Sequence, residues 1–122
     1  MELKRNISEI TPIENEDHSM LLFEAVGLTA AIKYAHFSIA KTILKPGSNV
    51  KRHFHQESDE IYVIVNGSGV MTVDDDSFHI ASGDVVLIVP GERHEVVADG
   101  IEDLEFFAIT RPAYSPHDFL TD

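Results

Sequence analysis

Between residues 32 and 110 the chain never runs far before a turn residue cuts it, at Pro46-Gly47, Asn66-Gly67, Asp74-Asp75-Asp76 and Pro90-Gly91. The pieces between the cuts are rich in Val, Ile, Phe and Tyr and show little helical periodicity, so they are expected to be β-strands. Strands are expected over 21–27, 32–44, 60–65, 70–73, 77–81, 84–89, 94–98 and 104–110, with a short helical turn as an alternative for 27–32. Strands this numerous and short predict an all-β antiparallel jelly-roll barrel. Two prolines bar regular structure from the tail, Arg111 to Leu120. The expected organisation is a single domain over 1–122, with N-terminal strands and loops to residue 30, a barrel core over 31–110 and a C-terminal tail over 111–122.

Two strands carry information about what surrounds them. In Glu60-Ile61-Tyr62-Val63-Ile64-Val65 both parities are apolar after the first residue, and Val85-Val86-Leu87-Ile88-Val89 is an unbroken apolar run. A strand with one wet face would alternate. The second face must be covered by the chain's own N-terminal strands or by another subunit, and a homodimer is the expectation.

Chemistry concentrates in one constellation. Gly47 is followed after five residues by His53, then His55, Glu60 and, after six more, Gly67, while a later segment ends Pro90-Gly91-Glu92-Arg93-His94. Side chains two apart in a strand point the same way, so His53 and His55 can reach one point while Phe54 faces away. Glu60 has the wrong parity for that strand but suits the next one, once Gln56-Glu57-Ser58-Asp59 has turned the chain. The turn at Pro90-Gly91 delivers His94 as the first residue of a further strand. The plain alternative is a pair of histidines on a wet strand, but Glu60 and His94 fall where a shared site needs them. Imidazole nitrogen with one carboxylate oxygen suits a divalent Mn, Fe, Ni or Zn ion, and the set does not choose among them.

These residues resemble the cupin superfamily, whose first motif is matched by Gly47, His53, His55, Glu60 and Gly67, and its second by Gly83, Gly91 and His94. Two positions depart from the second motif. Val89 stands where a proline is expected, and Ala98 replaces the closing asparagine; neither is a ligand. The resemblance covers about two thirds of the chain. It implies a double-stranded β-helix holding one metal ion on His53, His55, Glu60 and His94. It implies no particular substrate, because one barrel hosts dioxygenases, isomerases, lyases and decarboxylases.

Four protein donors on an octahedral ion leave two positions for a substrate, dioxygen or water. The expectation is a metal-dependent enzyme acting on a small organic molecule, with Glu60 or Tyr62 moving a proton; the alternative is a barrel that binds or senses such a molecule without turnover. Tyr62 shares the parity of Glu60, so it either lines the cavity or packs in the core. His36 shares a register with Tyr34, Ser38 and Ala40, which line the cavity mouth or face solvent. Arg93 and Lys51-Arg52 flank the ligands and could attract an anion, although charges beside turns are common. His18, His79 and His117 are expected in solvent, and the Asp74-Asp75-Asp76 triplet at a hairpin tip rather than on a second metal.

Composition narrows the partners. Nine basic residues against 21 acidic ones give a formal charge of −12, which makes a nucleic-acid backbone a poor partner. No run of about 18 apolar residues occurs, and Met1 to Asn6 lead into no apolar signal segment, so neither a membrane nor secretion is expected. Zero cysteines are compatible with a reducing cytoplasm, the expected location.

Overall fold

The computed structural model describes residues 3–122; Met1 and Glu2, which open the N-terminal stretch considered above, lie outside the described residues. The strands are β1 (Ile13–Glu14), β2 (Met20–Gly27), β3 (Ile32–Lys33), β4 (Ser38–Leu44), β5 (Asn49–His53), β6 (Asp59–Asn66), β7 (Ser68–Val73), β8 (Asp76–Ala81), β9 (Val85–Ile88), β10 (His94–Ala98) and β11 (Leu104–Arg111). They form two sheets, one in the order β1-β2-β4-β11-β6-β9 with β3 beside β2, the other β5-β10-β7-β8. Every pairing is antiparallel except β2 with β3. The two sheets face each other as a jelly-roll barrel.

Alternation places the core. Glu60, Tyr62 and Ile64 of β6 point inward and are buried, while Ile61 and Val63 are only half-buried on the outer face. Leu44, Ile64, Leu104 and Phe106 from the larger sheet meet Met71, Ile80 and Val96 from the smaller one. This apolar plug fills one end of the barrel. At the other end the inward positions turn small or polar: Ser38, Ala40, Ala108, Thr110 and Glu60.

Turn chemistry sets the register of the smaller sheet. Gly67 takes a left-handed φ of 77°, and a Cβ there would lie 2.3 Å from the Asp103 carbonyl oxygen, so only glycine closes the β6–β7 hairpin without displacing the neighbouring chain. Asp74, also left-handed at φ 50°, makes the β7–β8 tip, as expected for the Asp triplet.

The strand expected over 32–44 is broken. Val26 of β2 partners Ile32 in parallel and Ile39 antiparallel, so the chain must reverse between them, and Tyr34 to Phe37 form that bend. His36 sits in the bend and is exposed. Residues 28–31 form bends rather than a helical turn, tied back to β2 by Ala31 N–H on the Glu24 carbonyl at 3.1 Å. β1 and β2 extend the larger sheet beyond β4 and do not cover its outer face. On that face Val85 and Leu87 of edge strand β9 are 65% and 61% exposed. Among the described residues no helix is long and apolar enough to cross a membrane.

Candidate metal centre

β5 ends at His53, and the next residue, Phe54, pairs backbone to backbone with Leu120 of the C-terminal segment. That bridge keeps the chain extended past the end of the strand. His53 and His55 therefore both turn inward although only the first lies in β5. The chain then bends over 56–58, where one carboxylate organises the turn: Asp118 accepts the N–H groups of Gln56 at 2.7 Å and Ser58 at 3.1 Å, and the Ser58 hydroxyl at 2.9 Å. β6 follows and presents Glu60 inward. His94 opens β10 between β5 and β7, directly opposite His53 and Val73.

His53, His55, Glu60 and His94 are each 5% exposed or less, and each offers a donor atom within 4.8 Å of the others. The second ring nitrogens decide what these donors are. Nδ1 of His53 faces the Lys51 carbonyl at 2.7 Å, that of His55 the Asp118 carbonyl at 2.6 Å, and that of His94 the Glu92 carbonyl at 3.0 Å. A carbonyl only accepts, so each Nδ1 carries hydrogen and each neutral ring turns the lone pair of Nε2 into the site.

Lone pairs and a carboxylate cannot meet in a dry pocket without a positive charge between them. Glu60 Oε1 lies 3.0 Å from His94 Nε2 and 3.4 Å from His55 Nε2, and the latter is a buried side-chain nitrogen with no hydrogen-bond partner. Either a proton or a cation resolves this. In the protonated case burial lowers the His55 pKa but Glu60 outweighs it, so the value is raised above 6.5. For Glu60 burial raises the pKa, but the His55 and His94 rings beside it outweigh burial and bring it to about 2. His53 is held near 4 by burial, with repulsion from His94 and His55 adding to it, and stays neutral. A divalent ion fits the same point: three imidazoles and one carboxylate, the rings oriented through the backbone, are a first-row transition-metal donor set.

Beside the cluster lies a cavity of about 170 Å³, small against the ~300–1,000 Å³ of drug-sized sites. Its wall is read directly from the register. One rung of the larger sheet runs Glu24, Ala40, Ala108, Tyr62, because Glu24 pairs with Ala40, Ala40 with Ala108 and Ala108 with Tyr62. The alanines make the hollow. Leu22, Val26, Leu28, Val50, Phe106 and Phe119 add apolar wall, and no lysine or arginine lines it among the described residues. The Ser38 and Thr110 hydroxyls bond each other, and Ser38 Oγ also accepts the Tyr114 N–H at 2.9 Å.

Tyr62 is both of the things expected of it. It packs on Phe106 with centroids 4.5 Å apart and also lines the cavity beside Glu60. Burial and the Glu60 charge hold its phenol well above 10, so the hydroxyl keeps its proton. The flanking cations serve elsewhere: Arg93 holds Asp122 at 2.9 Å and lies 3.7 Å over the Phe54 ring, Arg52 reaches the Asp74 carbonyl at 3.1 Å, and Lys51 lies 5.7 Å from the Phe119 centroid. His18 pairs with Glu14, His79 is exposed on β8 and meets Asp99, and His117 is exposed.

Four participants were not anticipated. Asp118 and Phe119 of the tail reach the ligands, Phe119 stacking on His53 with centroids 4.3 Å apart and rings 16° from parallel. Tyr114 stands edge-on to His55 at 6.4 Å. Glu24 had a visible signal, a lone carboxylate inside Leu21-Leu22-Phe23-Glu24-Ala25-Val26. For the tail residues no local pattern announces a contact with positions some 60 residues earlier.

Comparison with known proteins agrees with this architecture. Residues 40–110 match the cupin domain model. The chain is 36% identical over 81 residues to an uncharacterised protein of Methanocaldococcus jannaschii and 40% identical over 70 residues to an oxalate-binding protein of Thermotoga maritima. Those stretches cover 66% and 57% of this chain but only 65% and 58% of the relatives. Among solved structures, a predicted oxalate decarboxylase of Thermotoga maritima superposes with a TM-score of 0.79 at 30% identity, over 90% of this chain and 99% of the other. Streptomyces Pac13, a nucleoside dehydratase, gives 0.78 at 16% identity, over 99% and 95%, and at that distance shares the fold alone. The matched model spans the barrel from β4 to β11 and contains all four converging donors, so the chain belongs to the cupin family.

Proposed function

We propose that this chain is a metal-dependent cupin that binds one divalent transition ion on His53, His55, Glu60 and His94 and acts on a small organic molecule in the adjoining cavity. One observation carries the proposal: three imidazoles, each held by a backbone carbonyl, aim their free nitrogens at one carboxylate in a buried pocket that opens onto an apolar hollow. A bound ion supplies Lewis acidity toward a carbonyl, enolate or hydroxyl oxygen. The chain's own residues do the rest. Glu60, ionised far below neutral pH, balances the ion's charge and is a weak base. Tyr62 keeps its hydroxyl proton and donates a hydrogen bond, or the proton itself, to a ligand oxygen on the β6 side. Leu22, Val26 and Phe106 exclude water from the ligand's apolar part.

A second reading, capture without turnover, is favoured by the Thermotoga maritima relative, which is named for binding oxalate. The two separate on a panel of diketones, hydroxy acids and catechols followed for product and oxygen consumption alongside binding. Turnover that survives His53→Ala, His94→Ala and complete metal removal overturns the metalloenzyme reading.

The assembly we propose is a homodimer through the outer face of the larger sheet. Val85, Leu87, Ile61 and Val63 present apolar surface there, and β1 and β2 leave it open. A cytoplasmic location is in keeping with a chain of zero cysteines.

A further inference from the structure

The polar groups of the cavity are unevenly divided. The metal donors and Tyr62 gather at the β6 side, and the floor between is Ala40 and Ala108. The Ser38 and Thr110 hydroxyls are spent on each other and on the Tyr114 amide. At the far side, three strands away on β2, stands a single carboxylate, Glu24. With strands about 4.8 Å apart, Glu24 and Tyr62 are separated by roughly 14 Å of backbone along one rung, and their inward side chains shorten the gap.

The Glu24 carboxylate makes a single side-chain hydrogen bond among the described residues, accepting it from the Thr29 hydroxyl at 3.1 Å in a loop at the cavity mouth. A carboxylate has about four lone-pair sites, so acceptor capacity is left for a ligand. Tyr114 lines the same cavity; burial raises its phenol pKa, and the Glu24 and Glu60 carboxylates raise it further.

Resting on the metal-centre reading above, we propose that Glu24 determines specificity by selecting a ligand with a metal-chelating oxygen head, a short apolar body and a cationic or hydrogen-bond-donating tail, and by rejecting ligands whose tail is anionic. A dicarboxylate meets a like charge at the β2 side and, among the described residues, no lysine or arginine to offset it, and the Thr29 hydroxyl already donates to Glu24. An ammonium or amide tail meets an acceptor, and the two alanines leave a flat body room to lie between.

The test uses three probes alike in head and body: 4-(aminomethyl)benzohydroxamate, benzohydroxamate and 4-carboxybenzohydroxamate, titrated into metal-loaded protein with metal content measured in parallel. Wild type is expected to bind the aminomethyl probe about tenfold or more tighter than the carboxy probe, with the plain probe between. Glu24→Gln is expected to collapse that spread and Glu24→Lys to invert it, both at unchanged metal content. Equal affinities in wild type, or a spread that persists in Glu24→Gln, overturns the role of Glu24 and leaves the metal centre standing. Protein that takes up no metal and binds none of the three overturns the metal centre and this inference with it.

Discussion

The carbonyl of Asp118 accepts the Nδ1–H of His55 at 2.6 Å, while the carboxylate of the same residue accepts backbone N–H groups of the turn that follows His55. One residue thus fixes both a donor's tautomer and the bend that brings Glu60 beside it. Asp118→Ala keeps the carbonyl and removes the carboxylate. The expected cost is about 1–2 kcal/mol of stability, as for loss of a helix cap, and a weakening of metal affinity smaller than the roughly tenfold or more that follows loss of an outer-shell partner, because the His55 acceptor stays while the bend before Glu60 loosens. Thermal denaturation and a competitive metal titration measure the two effects. A variant identical to wild type in both would mean that the tail merely rests on the site.

Metal analysis of protein made without an affinity tag should give about one divalent ion per chain. His53→Ala and His94→Ala should each lower that content sharply, since each removes a buried donor with no neighbour to replace it. His117→Ala, an exposed ring within two residues of Phe119, should leave it unchanged. Content near zero that stays there on reconstitution would remove the basis of the proposed function.

Protons compete for the same point, and the metal-free protein should reveal it. With a folded pKa near 4 against 6.5, His53 binds fewer protons folded than unfolded, so stability falls as pH is lowered from 6.5 to 4. Glu60, at about 2 against 4.5, contributes stability that is full above 4.5 and lost as pH falls toward 2. His55 runs the other way: its raised pKa gives stability that is complete below 6.5 and lost as pH climbs through the folded value. Metal-free His53→Phe, which keeps a ring against Phe119, should show a flatter pH dependence of the denaturation midpoint between 6.5 and 4 than wild type. Equal slopes would place the His53 proton elsewhere.

Association should depend on the exposed face of β9. Leu87→Lys sets a charge on a residue already 61% exposed, so it costs the single chain little while disfavouring burial of that face. Sedimentation equilibrium is expected to find wild type dimeric and Leu87→Lys shifted toward monomer. A monomeric wild type at micromolar concentration would end the dimer proposal.

Much of this was legible in advance, for reasons tied to particular residues. The period-two rule places His53 and His55 together whether or not both lie in a formal strand, and Gly67 and Pro90-Gly91 locate the turns that deliver β7 and His94. The break at 34–37 was invisible because its cause is tertiary: β2 serves as partner to two different segments, and nothing local to 32–44 records that. The tail escaped for a related reason. Its prolines do not keep it wholly irregular, since Pro116–Asp118 form a short 3-10 turn with proline at its start, and Asp118, Phe119 and Leu120 dock across some 60 residues of sequence.

That long reach has a consequence for the order of events on folding. The four donors are all synthesised by residue 94, yet the acceptor that orients His55 comes at residue 118. Contacts so distant in sequence cost more loop-closure entropy before they form. Until the segment around Asp118 docks beside Phe54, His55 lacks the acceptor that fixes which of its nitrogens turns inward, whereas His53 and His94 find theirs two residues away. On the proposed metal reading, one ligand of the four is set only when the 118–120 segment has docked, so the kinetics of metal uptake would report on that docking step.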